Sequence, residues 1–444
     1  MNLSFSDYQN GLSNGLYAPP SAYRPFMSIN RSQYKALEEI HKNNKNDVYG
    51  AFRSIRQRVG HDYFTRMYPL QCQTLDYSQM SFPAYRFIMP EVLTDDWLAI
   101  VDWHKKFKRD HVVHQPLTAY IVLKLLTGGG DSNNAFYING SSLLDLCIDE
   151  ILKWDATRYL KEYLLNTRVS ETDIWLDGSI LGRKFWKHLF VESAYLAAIF
   201  HDMGYPWQYV NLLSNNLDCA GYQSDTPNTS TTKLIETLGE RLIFCPLNGY
   251  RFLDRNTPGT WHQRLSNITE KALRKTHGFP GAIGFLYLND VLRVYPDEHI
   301  HPIKQFCVEW ASMAIMMHDM PKIYWGETNA VPENPHMQLK FDVDPLSCII
   351  ALADELEDFC RPVANFQDID QDVRVSYPIA CDSTVIEIDD NTLKIIYGFK
   401  DNTKRMEKLI RLPKEHKEYF DQQYGFLDLS SIGISRVEME TQSV

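Results

Sequence analysis

The sequence predicts a mainly α-helical protein with an irregular N-terminal extension and a small C-terminal α+β appendix. From about 96 to 371, apolar residues recur at helical spacing, for example at Leu117, Ile121 and Leu125. Residues 1–95 mix aromatic residues, proline and arginine without a long period. The tail, 372–444, contains runs rich in Val, Ile and Thr, which are typical of strands. These observations divide the chain into three regions.

The composition excludes several classes of protein. The chain has 444 residues and 44% hydrophobic content, enough for a large core, and its formal charge of -11 argues against general nucleic-acid binding. No apolar run approaches the roughly 18 residues that span a bilayer, and no signal peptide is evident. The eight cysteines are scattered without a C-x-x-C pair, which predicts buried free thiols. We therefore expect a cytoplasmic protein that does not bind membranes.

Polar breaks and turn signals locate the connections. Stretches 127–134 and 223–232 predict surface loops, the second long enough to act as a lid. In the tail, 383–398 predicts a β-hairpin that turns near 389–391. A charged helix from Thr403 to about Tyr424 and a strand around 434–437 follow.

The dipeptide His201-Asp202 is the most informative feature of the helical region. It closes the apolar segment Val191–Phe200, so both side chains are expected to be carried into the core. Burying an imidazole and a carboxylate without partners costs several kcal/mol. A divalent metal is the simplest partner for both, because it accepts nitrogen and oxygen ligands together.

Other apolar segments carry further ligand types. His318 closes the segment Trp310–Met317, and Asp354 lies on the face marked by Leu346. His114 precedes Leu117 by three residues, and His277 opens a segment whose small residues permit close helix packing. Alternatives remain: a lone buried histidine is usually a satisfied core residue, His318 also suits a helix C-terminus, and Asp354 also suits an ion pair with Arg361.

Taken in order, these residues spell H…HD…H…H…D, and here the chain resembles the HD superfamily of metal-dependent phosphohydrolases, in its two-metal branch. The resemblance covers about residues 100–365 and closely matches no characterised subgroup. The matching stretches are Arg109–Leu117, Ala197–Gly204, Thr276–Ala282, Ala314–His318 and Asp344–Leu356.

The resemblance implies an all-helical HD core with two divalent ions. His114, His201, Asp202 and Asp354 would hold one ion, and Asp202 would bridge to a second held by His277 and His318. A ligand set of nitrogen and oxygen alone suits Mn, Fe, Mg, Co, Ni or Zn. The implied activity is that of a phosphohydrolase or phosphodiesterase that uses a metal-bridging hydroxide on a small phosphate ester, such as a nucleotide or cyclic nucleotide.

Secondary candidates surround this set. His111, one turn from His114, is a candidate general acid or an outer partner of a ligand. Lys322 is a candidate for steering a phosphate or a surface lysine. Glu355, Glu357 and Asp358 are expected on the solvated side of the last helix.

Two other functions share the same ligands. One is a di-iron oxygenase of the HD type, and the other is a catalytically silent nucleotide-binding HD protein that reports through its C-terminal piece. For that C-terminal piece the sequence also leaves docking or homodimer formation open.

Overall fold

The computed structural model of the protein describes residues 1–4, 7, 111–128, 134–154, 180–202, 204, 238–243, 245, 247, 261–292, 302–324, 337–358, 381–422 and 425–444. Most of the 1–95 extension, the predicted 223–232 loop and Arg361 lie outside these residues.

Helices form most of the described chain, so the mainly α prediction is confirmed at that level. The helices are α1 (His111–Thr127), α2 (Leu143–Ile151), α3 (Ile180–Phe200), α4 (Trp261–Lys275), α5 (Gly278–Leu292), α6 (Pro302–Met317), α7 (Pro345–Leu356) and α8 (Asn402–Phe420), with a 3-10 helix at Met320–Tyr324. The strands are β1 (Asn2–Ser4), β2 (Tyr137–Ile138), β3 (Ser141–Ser142), β4 (Leu339–Lys340), β5 (Ser383–Asp389), β6 (Thr392–Phe399), β7 (Leu427–Asp428) and β8 (Arg436–Ser443).

Helix α3 lies at the centre of the helical body. It packs against α1, α2, α6 and α7, and every side chain from Val191 to Phe200 is buried. A helix that is apolar on all sides is stable only when it is surrounded. On α1, Leu117, Ile121 and Leu125 are fully buried, as their spacing predicts.

Helix α7 begins with a strong local signal. The side chain of Asp344 accepts a hydrogen bond from the backbone N–H of Ser347, and Pro345 occupies the first turn. The helix ends at Leu356, because Glu357 leaves helical geometry with φ -87° and ψ 71°.

A four-stranded sheet in the order β1-β5-β6-β8 lies beside the helices. The predicted hairpin is confirmed, with β5 and β6 antiparallel around a turn in which Asp390 has φ 52°. The predicted charged helix is α8, which ends at Phe420 and not near Tyr424. The strand predicted around 434–437 begins later and is longer: it is β8, which runs parallel to β6. Helix α8 packs on β8 and β6 and forms the crossover between them.

The sheet also takes a strand from the start of the chain, which the sequence pattern did not indicate. Strand β1 pairs antiparallel with β5, and Leu3 is fully buried. Asp7 then accepts a hydrogen bond from Tyr120 and lies 3.1 Å from Lys124, both on α1. Whether the domains divide at 95 and 371 stays a prediction, but the sheet contains residues from both ends of the chain.

The sequence also led to predictions about the cysteines and about membrane-spanning segments. Cysteines 147, 307, 348 and 381 are buried free thiols, as expected for the core, and Cys245 is buried as well. No helix within the described ranges is both long and apolar enough to cross a membrane.

Candidate metal centre

The six predicted ligands lie at helix ends that meet in one place. His201 and Asp202 follow the end of α3, and His318 follows the end of α6. His277 directly precedes α5. His114 lies in the first turn of α1 and Asp354 in the last turn of α7.

The ligand atoms of these residues are close enough to share ions. Three groups have ligand atoms that all lie within 4.8 Å of one another: His114, His201 and Asp202; His201, His318 and Asp354; Asp202, His277 and His318. The structure thus brings together residues separated by up to 240 positions in the chain.

The two predicted ligand sets define two half-sites, which the group of His201, His318 and Asp354 also connects. In the first half-site (His114, His201, Asp202 and Asp354), Nε2 of His114 lies 2.7 Å from Oδ1 of Asp354 and 3.2 Å from Nε2 of His201. In the second half-site (Asp202, His277 and His318), Nε2 of His277 lies 2.9 Å from Nε2 of His318.

Asp202 faces both half-sites. Its Oδ1 lies 3.1 Å from Nε2 of His277, and its Oδ2 lies 3.6 Å from Nε2 of His114. Among the described residues, Oδ2 has no hydrogen-bond partner although the side chain is only 2% exposed. A buried carboxylate oxygen without a partner is costly, and a cation between the half-sites would satisfy it.

The helix ends orient two of the imidazoles. Nδ1 of His201 lies 2.8 Å from the Ala198 carbonyl oxygen, and Nδ1 of His318 lies 2.7 Å from that of Ile315. A backbone carbonyl only accepts, so in both rings Nδ1 donates and the neutral ring presents the lone pair of Nε2. The predicted C-terminal capping role of His318 and its ligand role are therefore compatible.

Carboxylates orient the other two imidazoles. Nδ1 of His114 lies 2.5 Å from Oε2 of Glu357, and Nδ1 of His277 lies 2.9 Å from Oδ2 of Asp319. Hydrogen bonds from Nδ1 to a carboxylate are the common way to fix a metal-binding histidine and raise its basicity. All four Nε2 atoms consequently point into the cluster.

Asp319 has a second role at the start of α5. Its carboxylate accepts hydrogen bonds from the backbone N–H groups of His277 and Gly278, at 2.9 and 3.2 Å. It thereby caps the free N–H groups of α5 from a neighbouring segment and places His277 beside His318. Another His-Asp dipeptide, His318-Asp319, thus supplies one candidate ligand, His318, and one residue that orients a candidate ligand, Asp319.

The electrostatics of the first half-site favour a positive charge. Burial lowers the pKa of His114, but hydrogen bonds to Asp354 and Glu357 outweigh it and raise the pKa from 6.5 to about 10. Burial raises the pKa of Asp354, but His114 and His201 outweigh this and hold it well below its usual range. Without an ion, a proton on His114 takes the place of the cation.

The second half-site behaves in the same way. Burial lowers the pKa of His277, but Asp319 and Asp202 raise it to about 9. The pKa of His318 falls to about 4, chiefly through burial. His277 therefore carries a proton on both ring nitrogens at neutral pH, and its ring lies between the carboxylates of Asp319 and Asp202.

Small residues allow the backbone segments to meet. A methyl group at Gly204 would overlap the carbonyl oxygen of His277 and lie 2.6 Å from the backbone nitrogen of Gly281. A methyl group at Gly278 would lie 2.5 Å from Oδ1 of Asp319. Glycine at these positions permits the contact between the segment after α3 and the start of α5, as the small residues of 278–288 suggested.

The sequence predicted that Glu355, Glu357 and Asp358 lie on the solvated side of α7. That prediction is wrong, most clearly for Glu357. Glu357 is 2% exposed and hydrogen-bonded to His114, since the chain leaves helical geometry there and turns inward. Asp358 forms an ion pair with Lys408, and burial raises the pKa of Glu355 well above its usual value. The signal for Glu357 was its position three residues after Asp354, but the sequence contains no sign of its partner.

The remaining predicted site residues are His111 and Lys322. His111 is the first residue of α1, and its side chain is outside the described part of the structure. Lys322 lies in the 3-10 helix that follows Asp319, with Nζ 5.6 Å from the centre of the Phe426 ring. Both catalytic assignments stay predictions, and Lys322 lies against the C-terminal part of the chain.

Comparison with protein-family models, curated proteins and solved structures gives no match. The HD-type resemblance therefore depends on the motifs and stays a prediction, whereas the convergence of the six side chains is a property of the structure.

Proposed function

We propose that this protein is a metal-dependent phosphohydrolase or phosphodiesterase with a centre for two divalent ions. A single observation carries the proposal: four Nε2 atoms and the carboxylates of Asp202 and Asp354 converge in a buried cluster, in which one Asp202 oxygen has no hydrogen-bond partner among the described residues. If all four imidazoles are neutral with Nδ1 as donor, their Nε2 lone pairs meet, and positive charge must lie between them: metal ions, or protons on His114 and His277 where no ion is bound.

The distances support metal ligation. Two nitrogens bound to one cation at about 2.0–2.1 Å lie roughly 2.8–3.4 Å apart for angles between 90° and 109°. The Nε2–Nε2 distances are 3.2 Å in the first half-site and 2.9 Å in the second. His114, His201, Asp202 and Asp354 would hold one ion, and Asp202, His277 and His318 the other.

The charge of the site supports two ions rather than one. The buried inner carboxylates Asp202 and Asp354 and the outer carboxylates Asp319 and Glu357 carry four negative charges when ionised. Two divalent ions balance that charge, whereas protonated His114 and His277 balance half of it. Charges this deeply buried need compensation of matching size.

The proposed reaction class follows from the donor set. Two divalent ions a few Å apart acidify a water molecule and stabilise charge on a phosphoryl group. Asp202 would keep the two half-sites at a fixed separation, and the outer carboxylates would hold the imidazoles in place. The cluster opens to solvent at Asp354, because 16% of its side chain is exposed. The side chains of His114, His201, Asp202 and His277 are at most 6% exposed. A small phosphate ester, such as a nucleotide or cyclic nucleotide, is the proposed substrate.

The test combines metal analysis with a hydrolysis assay. Protein loaded with Mn²⁺ is expected to bind two equivalents and to hydrolyse bis-p-nitrophenyl phosphate and members of a nucleotide panel. Asp202→Asn is expected to lower activity by about two orders of magnitude or more and to reduce metal content, because it weakens both half-sites. The control is His416→Ala, which removes a histidine outside the cluster. His416 donates a hydrogen bond to the Val437 carbonyl oxygen within the C-terminal unit, the residues after position 380.

Other outcomes identify the competing functions. Oxygen consumption by iron-loaded protein without phosphoesterase activity would point to the oxygenase. Nucleotide binding without any turnover would point to the silent protein. Full activity in Asp202→Asn would exclude catalysis at this centre.

A further inference from the structure

The first half-site depends on a short stretch at the end of α7. Asp354 lies in the last turn, and Glu357, three residues later, contacts Nδ1 of His114. The backbone N–H of Glu357 donates to the Asp354 carbonyl oxygen over 3.3 Å, and Glu357 itself is no longer helical. Because this hydrogen bond is long, contacts from outside α7 are needed to fix the position of Glu357.

A buried lysine of the C-terminal unit supplies such a contact. The Lys408 side chain, on α8, is 1% exposed. Its Nζ forms ion pairs with Asp358, next to Glu357, and with Glu415 at 2.7 Å, and lies 4.3 Å from the centre of the Tyr397 ring. A buried ammonium group is stable only beside its charged partners, and removing it would leave those partners uncompensated.

The backbone of Asp358 is also held. The N–H of Cys381 donates to the Asp358 carbonyl oxygen at 2.7 Å. Lys408 thus lies between two acidic side chains, Asp358 and Glu415. Both the side chain and the carbonyl of Asp358 are therefore fixed by residues that follow position 380.

We propose that Lys408 is a positioning residue of the metal centre: by anchoring Asp358, it fixes the stretch that places Asp354 and Glu357 around His114. The C-terminal α+β unit thereby controls occupancy of the first half-site. This inference rests on the proposed function. The second half-site has its own anchor in Asp319 and is independent of Lys408.

The experiment measures Mn²⁺ affinity and stoichiometry in the full-length chain. Lys408→Met keeps the apolar stem and removes the charge, and Asp358→Asn leaves Lys408 in place. Both are expected to weaken binding in the first half-site by about tenfold or more. At the lowest free Mn²⁺ concentration that fills both half-sites of the wild-type protein, bound metal should therefore fall from two equivalents toward one. Lys408→Arg is expected to restore the second equivalent. Lys404→Met is the matched control, because Lys404 is exposed on the same helix.

A purely structural role predicts a different pattern. General loosening of the fold would weaken both half-sites together and lower the melting temperature of the metal-free protein in proportion. Two equivalents bound with unchanged affinity in Lys408→Met, or in Asp358→Asn where Lys408→Met does not fold, would overturn the inference. Failure of the wild-type protein to bind Mn²⁺ would instead overturn the proposed function.

Discussion

Proton positions decide what the histidines of the cluster can do. His201 and His318 donate from Nδ1 to carbonyl oxygens of the helices they follow, so their orientation is set locally. His114 and His277 donate to carboxylates far along the chain, at Glu357 and Asp319. Each half-site therefore pairs one imidazole fixed by its own helix with one fixed by a distant carboxylate.

Metal binding is expected to release protons from His114 and His277. Their pKa values of about 10 and 9 keep both protonated at pH 7 without metal, and a ligand nitrogen must be unprotonated. Affinity for Mn²⁺ should therefore rise with pH until both values are passed, near pH 10, with about two protons released per loaded protein at pH 7. Calorimetric titration in buffers of different ionisation enthalpy measures the number of protons, and a value near zero would contradict the assignment.

The same groups give metal-free protein a distinct stability profile. A histidine whose folded-state pKa exceeds 6.5 stabilises the fold fully below that pH and loses the contribution as pH rises through its folded value. Metal-free protein should lose stability between pH 7 and 10, whereas Mn²⁺-loaded protein should not. Urea denaturation at a series of pH values measures both profiles, and a flat profile for the metal-free protein would argue against protonated His114 and His277.

At the scale of elements, the site is an assembly of helix ends. The carbonyl groups of Ala198 and Ile315, near the ends of α3 and α6, orient His201 and His318. At the start of α5, Asp319 caps backbone N–H groups. Each end leaves backbone groups to be satisfied, and the site residues satisfy them.

The close approach of α5 and α6 gives a test at this scale. Gly278→Ala places a methyl group against Asp319, His318 and the Ile315 carbonyl, so the start of α5 must move. We expect a loss of about 1–3 kcal/mol in the free energy of unfolding. Weaker Mn²⁺ binding in the second half-site should accompany it. Urea denaturation and metal titration measure both, with exposed Asn267→Ala on α4 as control. Unchanged values would show that α5 adjusts freely.

At the scale of the whole molecule, both ends of the chain meet in one sheet that contacts the helical body. Strand β1 adds to β5, and Asp7 links the same segment to α1. Strand β4, just before α7, pairs with β7, and Gln338 donates to the carbonyl oxygen of Gly425 at 3.0 Å. The C-terminal unit is thus tied to the helix that carries Asp354.

Removal of the β1 anchor should therefore be costly. Leu3→Ala is expected to lower the free energy of unfolding by about 2–5 kcal/mol, because Leu3 is fully buried against the sheet. Asn2→Ala, at an exposed position of the same strand, is the control and should change stability by less than about 0.5 kcal/mol. Equal effects of the two substitutions in chemical denaturation would show that β1 contributes only backbone pairing.

The sequence alone determined the features that depend on neighbours along the chain. Helical periodicity located α1, α3, α6 and α7, and strand-forming residues located the β5–β6 hairpin, because side-chain spacing decides which face is apolar. The same logic selected the six ligands, since ionisable groups at the ends of buried segments need partners.

Only the tertiary structure decided which distant residues those partners are. Glu357 beside His114, Lys408 beside Asp358 and β1 beside β5 join positions that are at least 50 residues apart. No local pattern encodes such pairs, because they depend on how whole elements pack. The six candidate ligands could therefore be predicted from their own segments, whereas distant residues that hold them in place, such as Glu357, could not.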